Sequence, residues 1–102
     1  MYEKNEVLRA LCTRRSVRSY DSNHPVEQEK IEAVLKAGQY APTGMNRMPT
    51  KFVVIRNSEM LHRLSKQNAE IMGKADIDPF YGAPVVLIVL ADKTKPTYIY
   101  DG

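Results

Sequence analysis

Val85-Val86-Leu87-Ile88-Val89-Leu90-Ala91 is the stretch that decides the fold class, because with Pro84 it forms the longest apolar run of the sequence. A helix that crosses a bilayer needs about 20 apolar residues, so this run is far too short to span a membrane. It is apolar on both faces, which is typical of a strand that is covered on both sides. The run therefore predicts a buried strand in the middle of a sheet and no membrane-spanning segment.

The residues before this strand predict a second strand, with a helix between the two. Lys51–Arg56 has the β-branched and aromatic content of a strand. Asn57 or Ser58 can cap the helix that follows, and a loop rich in Asp, Gly and Pro is predicted over residues 74–82. The apolar side of the helix is predicted to comprise Met60, Leu61, Leu64 and Ile71. Because a helix and a long loop separate the strands, they cannot form a simple hairpin.

Two further helices are predicted nearer the N-terminus, separated by a turn or extended segment over residues 19–23. The first runs from Glu3 to about Thr13. The second is opened by His24-Pro25, because proline suits the first turn of a helix, and ended by Pro42. The predicted buried faces comprise Val7, Leu8 and Leu11 in the first helix and Ile31, Val34, Leu35 and Gly38 in the second. The order α-α-β-α-β predicts a mixed α and β protein, although two strands alone make a poor sheet.

Composition restricts the class of protein further. A chain of 102 residues and 11.6 kDa forms one domain, and its single cysteine, Cys12, excludes an internal disulfide. We therefore expect a cytoplasmic protein in a reducing compartment, since the N-terminus also lacks the apolar run of a secretory signal. The net charge of +3 and the pI near 9.1 permit an anionic partner without requiring one.

Three arginines and a hydroxyl group lie together in Arg14-Arg15-Ser16-Val17-Arg18. A guanidinium group can bind phosphate in two places at once and stays charged at any working pH. In an extended segment alternate side chains share a face, so Arg14, Ser16 and Arg18 could bind one anion together. The alternative is that Arg14 and Arg15 neutralise the negative end of the first helix while Arg18 is solvated. The residues alone leave both interpretations open.

A second unusual stretch, Ala41-Pro42-Thr43-Gly44-Met45-Asn46-Arg47-Met48-Pro49, contains too many turn formers to be regular. Thr43, Gly44 and Asn46 offer backbone amides, a hydroxyl and a carboxamide, and Gly44 lets a ligand approach the backbone closely. This combination suits the edge of a planar polar ligand. The alternative, which also stays open, is a helix-to-strand connection in which Pro, Gly and Asn simply make the turns.

The other chemistry-bearing residues predict no catalytic group and no metal site. His24 and His62 are isolated from acids at metal-ligand spacing and are expected on the surface. Cys12 is expected to be a small core residue, and Asp76 and Asp78 are expected to make turns rather than to bind a cation. An exposed aromatic surface is predicted near the termini, formed by Tyr2, Tyr98 and Tyr100.

The two unusual stretches are followed by a third motif, Tyr81-Gly82-Ala83-Pro84, directly before the apolar strand. Each motif is loose by itself, but their joint order and spacing is specific. In this order the chain resembles the flavin-dependent nitroreductase family, from the first helix as far as Tyr100-Asp101-Gly102. The resemblance favours the ligand-binding interpretation of both stretches.

The resemblance implies an α+β fold of the nitroreductase type, with helices packed on a mixed sheet. It implies flavin mononucleotide (FMN) at the interface of an intertwined homodimer. It also implies electron transfer from NAD(P)H through the flavin to a small acceptor such as a nitro compound or a quinone. Because the flavin carries the reaction, no residue is assigned as a catalytic acid, base or nucleophile.

The resemblance further implies roles for the candidate residues. Those implied to hold the ribityl phosphate region are Arg14, Arg15 and Ser16. Those implied to reach the flavin from the partner subunit are Pro42, Thr43 and Gly44. Arg18 would lie near the pyrimidine edge of the ring, where a cation favours the anionic reduced flavin. Asn46 would fix that loop or the cofactor.

Two departures from the family pattern concern this site. Family members commonly carry glutamine where this chain has Met48 and often an aromatic residue where it has Thr50, and a thioether cannot replace an amide that both donates and accepts hydrogen bonds. Family members also continue well beyond the point that matches Gly102. Residues 1–102 are therefore interpreted as the N-terminal portion of a single nitroreductase-like domain, which alone is expected to bind FMN weakly or not at all.

A rival interpretation is a non-catalytic module for nucleotide binding or dimerisation derived from this fold. Single-strand nucleic-acid binders pair basic grooves with exposed aromatic side chains on which bases stack. Of the tyrosines, only Tyr20 lies near the arginine cluster in sequence. No nucleic-acid partner is therefore predicted, and a retained yellow flavin would distinguish the oxidoreductase from the module.

Overall fold

The structure is a computed structural model that describes residues 4–21 and 23–102. Over these residues the elements are, in order, α1 (Glu6–Thr13), α2 (Gln28–Gln39), β1 (Thr50–Ile55), α3 (Ser58–Ile71), β2 (Val86–Ala91) and α4 (Tyr98–Asp101). The predicted order α-α-β-α-β is confirmed, and the short α4 is an addition to it. Three predictions lie outside the described residues: the helix start at Glu3, the exposure of Tyr2 and the place of Ser22 in the predicted turn.

Asparagine caps begin the first and third helices. The Asn5 side-chain oxygen accepts hydrogen bonds from the amides of Val7 (3.1 Å) and Leu8 (3.2 Å). Oδ1 of Asn57 accepts one from the amide of Met60 (3.0 Å). Such caps satisfy donors that the first turn of a helix leaves unpaired. The prediction that Asn57 or Ser58 caps the third helix is confirmed, with Asn57 in the cap position.

α2 begins later than predicted. The His24 amide donates to the Asp21 carbonyl (3.3 Å), and Nδ1 of His24 lies 2.6 Å from Oδ2 of Asp21, so these two residues close a turn of their own. Glu27 still has extended backbone angles and is the last residue before the helix. Pro25 therefore lies outside the first helical turn, and the prediction that His24-Pro25 opens the helix is wrong.

β1 and β2 pair antiparallel, from Thr50 opposite Ala91 to Ile55 opposite Val86. Both predicted strands are confirmed. The described residues form one sheet of these two strands, so they do not form the expected mixed sheet, which needs a parallel neighbour. β2 has one partner there instead of two, and its predicted central position is wrong for the described part of the chain. The apolar residues of β2 that remain exposed are Leu87, Val89 and Leu90.

The core is small and draws on three elements. Its buried apolar side chains are Ile31 of α2, Ile55 of β1 and Ala69 of α3, and Ile31 is only 4% exposed. α2 approaches β1 through Gly38, where a Cβ would lie 2.8 Å from Cζ of Phe52. The absence of a side chain at Gly38 thus allows the Phe52 ring to pack against the helix. Helices and strands share one core, in agreement with the expected α+β class.

The predicted apolar faces of the helices are only partly covered. In α2, Leu35 and Gly38 are half-buried as predicted, whereas Val34 is 56% exposed. In α3, Leu61 and Leu64 are half-buried. The predicted face residues that the structure leaves exposed are Met60 and Ile71 of α3 and Val7, Leu8 and Leu11 of α1. Helical spacing identifies the apolar side of a helix, but burial requires another element to cover it.

Much of the surface stays uncovered. The accessible surface is 8796 Å², whereas a folded monomer of 11.6 kDa exposes roughly 5800 Å². The radius of gyration is 16.4 Å, against about 13 Å for a compact domain of this size. These values fit a chain whose apolar faces are suited to cover by further polypeptide. No helix within residues 4–21 and 23–102 has the length and apolar character needed to cross a membrane.

Candidate functional site

Residues 14–18, the basic segment, leave α1 as exposed, non-helical backbone. Arg14 follows the helix with an extended conformation (φ −58°, ψ 154°), and each residue of the segment is exposed. Nη1 of Arg15 donates to the carbonyl oxygens of Thr13 (3.2 Å) and Arg14 (2.8 Å). The Arg15 side chain therefore neutralises the C-terminal end of α1, as one of the two interpretations of the cluster expects.

Arg14 and Arg18 differ from Arg15 in this respect. Neither guanidinium group forms a hydrogen bond or an ion pair with another side chain in the described part of the structure; the ion pairs found there are His24–Asp21 and Lys30–Glu27. Within residues 4–21 and 23–102, Arg14 and Arg18 thus carry positive charges without an acidic partner. An exposed guanidinium group attracts an anion and matches the geometry of phosphate.

Residues 42–49, the 42–49 turn, combine one turn of 3₁₀ helix (Gly44–Asn46) with an unusual backbone. Three of its residues have positive φ: Met45 (56°), Asn46 (55°) and Met48 (47°). The left-handed region costs a residue with a Cβ on the order of 1–3 kcal/mol, and such conformations concentrate at functional sites. The predicted irregularity of this stretch is confirmed, and its conformation must be maintained by other contacts.

Hydrogen bonds within the turn engage several of its polar groups. The Asn46 amide donates to the Thr43 carbonyl (3.1 Å), and the Met48 amide donates to Oγ1 of Thr43 (3.1 Å). The Asn46 side chain lies on the exposed surface, so its carboxamide is accessible. The Met48 thioether is exposed as well, at the position where the family pattern has an amide.

A contact from outside the turn engages Gly44. The Gly44 amide donates to Oδ1 of Asp101 (3.0 Å), and Oδ2 of Asp101 accepts a hydrogen bond from Oγ1 of Thr97 (2.6 Å). Sequence reasoning missed Asp101 and Thr97 entirely. No local signal could have found them, because 57 residues separate Asp101 from Gly44.

A groove of about 600 Å³ lies beside the 42–49 turn. Its walls come from α2, the turn, both strands and Asp101, and its mostly apolar lining includes Leu35, Gly38, Phe52 and Val89. Thr43 lines the groove, whereas residues 14–18 do not. The structure thus brings Thr43, Gly44 and Asn46 together in one turn but does not bring the basic segment to that groove within the single chain.

Gly82, Ala83 and Pro84 of the Tyr81-Gly82-Ala83-Pro84 motif line a second, larger cleft. This cleft of about 760 Å³ lies between α3 and residues 75–84. Asp78 organises its wall by accepting hydrogen bonds from the Ser65 hydroxyl (2.7 Å) and from the amides of Phe80 (2.9 Å) and Gly82 (2.7 Å). The Ser65 hydroxyl, followed by the Phe80 amide, lowers the pKa of the Asp78 carboxyl. The prediction that Asp76 and Asp78 lie in turns is confirmed.

The remaining candidates are surface residues. His24 and His62 are exposed as predicted. Cys12 is also exposed, and its predicted place in the core is wrong, because α1 buries none of its residues. Tyr100 is 88% exposed, which agrees with the predicted aromatic surface, whereas Tyr98 is half-buried.

Comparison with known proteins extends these observations. The model of the nitroreductase family matches residues 11–101. A protein of Archaeoglobus fulgidus with the provisional name NADH dehydrogenase/NAD(P)H nitroreductase is 36% identical over 94% of this chain and 51% of its own length. The FMN reductase (NAD(P)H) of Bacillus subtilis is 33% identical over 86% of this chain and 32% of its own length.

Solved structures give the same result. A nitroreductase with bound FMN from Bacteroides fragilis superposes with a TM-score of 0.84 at 29% identity, over 96% of this chain and 58% of that chain. The matched region includes both the basic segment and the 42–49 turn. The chain spans about half the length of these relatives, or less.

Proposed function

This chain belongs to the nitroreductase family, and on that premise we propose that it forms the N-terminal portion of an FMN-dependent oxidoreductase domain. The proposed reaction transfers electrons from NAD(P)H to a nitro compound, a quinone or a similar small acceptor. When bound, FMN would supply the redox chemistry by accepting electrons from the nicotinamide and passing them to the acceptor. The residues of this chain would bind and orient the two reactants.

The observation that most supports this proposal is the chemistry of the basic segment. Arg14 and Arg18 are exposed and have no carboxylate partner among the described residues, so both guanidinium groups can bind an anionic or polar ligand, as the phosphate and the pyrimidine edge of FMN are. The residues proposed for the ribityl phosphate region are Arg14, Arg15 and Ser16. To bind the phosphate, Arg15 would exchange its present bonds to the carbonyls of Thr13 and Arg14 for the ligand. Arg18 is proposed for the pyrimidine edge, where its charge favours the reduced flavin.

The 42–49 turn is proposed to contact the flavin from the partner subunit of a homodimer. The residues assigned to this contact are Pro42, Thr43, Gly44 and Asn46. Two observations support the dimer. The basic segment does not line the groove beside the turn, so a partner offers one way to bring both to the same ligand. α1 also exposes Val7 (68%) and Leu11 (63%), and exposed apolar stripes of this kind favour association.

The compartment proposed for this reaction is the cytoplasm. The protein has one cysteine, Cys12, and its thiol is exposed. A single exposed thiol is compatible with a reducing compartment.

The proposal is tested by incubating the purified protein with FMN, removing free flavin by gel filtration and recording the visible absorption spectrum. Residues 1–102 alone are expected to retain little or no flavin. A band retained in the fraction that elutes as a dimer would support the oxidoreductase directly, and NAD(P)H-dependent bleaching of that band would identify the electron donor. A colourless dimer would favour a dimerisation module of the same fold over an oxidoreductase that is active within residues 1–102.

A further inference from the structure

The 42–49 turn is tied to α4 by a three-group network. The Gly44 amide donates to one carboxylate oxygen of Asp101 (3.0 Å), and the Thr97 hydroxyl donates to the other (2.6 Å). All three residues are half-buried. An ionised carboxylate forms hydrogen bonds about twice as strong as a neutral acceptor does. The network is therefore a strong link between two segments that are distant in sequence.

The turn needs such a link. Its positive-φ residues, Met45, Asn46 and Met48, hold a conformation that persists only where surrounding structure determines it. The bonds from the Asn46 and Met48 amides end on Thr43, so they lie inside the turn and move with it.

The two ends of the turn are attached to different parts of the fold. At its C-terminal end, the Asp92 amide donates to the Pro49 carbonyl (2.8 Å) next to the first pair of the sheet. Toward its N-terminal end, the side-chain link is the bond from Gly44 to Asp101. Without the Asp101 carboxylate, the sheet would still position Pro49 through the Asp92 amide. The segment around Thr43 and Gly44 would lose its side-chain hydrogen bond to α4.

We propose that Asp101 is a positioning residue, whose carboxylate holds the 42–49 turn in the shape that presents Thr43 and Asn46 to FMN. The ligand in this statement rests on the proposed function, whereas the link itself rests on the geometry alone. Gly44 then contributes by leaving room for Thr97 beside the turn, since its amide is engaged by Asp101.

The link is tested first by amide hydrogen exchange of the full chain, measured by NMR. Asp101→Asn keeps the size of the side chain and removes its charge. We expect the Gly44 amide to exchange about tenfold faster in this variant, while the Met60 amide, bonded to Asn57, keeps its rate. Equal Gly44 exchange in the two proteins would overturn the proposal.

The effect on the ligand is tested by titrating FMN and measuring its fluorescence. Asp101→Asn is expected to raise the Kd about tenfold. Asp78→Asn is the matched control, because Asp78 likewise accepts bonds from a hydroxyl and from backbone amides but lies on another loop. The proposal would be overturned if Asp101→Asn and Asp78→Asn unfolded at the same temperature and raised the Kd equally. The weaker FMN binding would then follow from a general loss of stability and not from a positioning role of Asp101.

A second pair of variants keeps the proposal testable if Asp101→Asn does not fold. Thr97→Val removes the hydroxyl that donates to Asp101 and keeps the branched shape, whereas Thr97→Ser keeps the donor. We expect faster Gly44 exchange and a higher Kd in the valine variant than in the serine variant; the reverse order would overturn the proposal. If residues 1–102 alone have no measurable affinity for FMN, Gly44 exchange decides by itself whether Asp101 holds the turn, independently of the proposed function.

Discussion

A side chain at Gly44 would collide with Thr97: a Cβ there would lie 2.5 Å from Cγ2 and 2.7 Å from Oγ1 of Thr97. Such distances are too short for any non-bonded contact of a Cβ atom, so one of the two segments must shift. Gly44→Ala is therefore expected to lower the free energy of unfolding by about 1–3 kcal/mol, as overpacking does elsewhere. Urea denaturation followed by circular dichroism measures this loss.

In the double variant Gly44→Ala/Thr97→Gly the colliding atoms are gone, and the loss of unfolding free energy should be smaller than the sum of the losses in the two single variants. Strict additivity would refute the packing explanation for this glycine.

The exposed arginines of the basic segment lead us to expect a charge-dependent affinity for FMN. Arg14→Gln and Arg18→Gln should each raise the Kd for FMN about tenfold or more, because a charge-assisted contact is lost. Arg63→Gln is the control, since Arg63 is an exposed arginine of α3 away from the segment. Fluorescence titration at low and at high salt measures the three constants. Equal affinities for the Arg18 and Arg63 variants would remove Arg18 from the site.

The cap at the start of α3 predicts a local loss of stability. Asn57→Ala removes the acceptor for the Met60 amide and should lower the free energy of unfolding by about 1 kcal/mol. Asn57→Asp keeps an acceptor in the cap position and should stay close to the wild type. Thermal or urea unfolding distinguishes the two, and a similar loss in both variants would contradict the capping role.

The hydrogen bonds that the Asp78 carboxylate accepts lead us to expect that the stability of the protein depends on pH. Its pKa is lowered in the folded protein, chiefly by the Ser65 hydroxyl and then by the Phe80 amide. A carboxyl group whose pKa is lower in the folded state stabilises the protein above its unfolded pKa of about 4 and loses that contribution as the pH falls through the folded value. The stability difference between wild type and Asp78→Asn should therefore be largest near neutral pH and shrink in acid.

The control for this pH effect is Asp76→Asn. Asp76 lies in the same loop, and its carboxylate makes no hydrogen bond in the described part of the chain. Asp78 is exposed, so solvent screening keeps the expected effect modest. Urea midpoints at several pH values would contradict the prediction if both variants followed the same curve.

Local features of the structure could be predicted from sequence, because their causes are local. Asn57 caps α3 through a bond to Met60, three residues away, and both strands follow from runs of β-branched residues. The irregularity of the 42–49 turn follows from its prolines and glycine. The start of α2 was misplaced, because the pairing of Asp21 with His24 competes with the start of a helix at Pro25.

Burial and long-range contacts could not be predicted in this way. Val34 and Cys12 have the residue types of a core but are exposed, because burial depends on which elements pack nearby. In the candidate site the sequence motifs pointed to the basic segment and the 42–49 turn. They could not predict which hydrogen-bond donors of these segments remain available to a ligand. The Gly44 amide was expected to face a ligand, and only the folded chain shows that it donates to Asp101.

The separation between Gly44 and Asp101 also orders events during synthesis. The bond spans 57 residues, so at about 5–20 residues per second the ribosome adds Asp101 roughly 3–11 s after Gly44. During that interval the 42–49 turn lacks its acceptor, and closing so long a loop carries an entropy cost that the pairing of β1 with β2 must first offset. The basic segment is complete long before the turn acquires its shape. In the proposed dimer, a flavin held by the arginines of one chain would therefore gain its contacts with the turn only after the partner chain has been synthesised as far as Asp101.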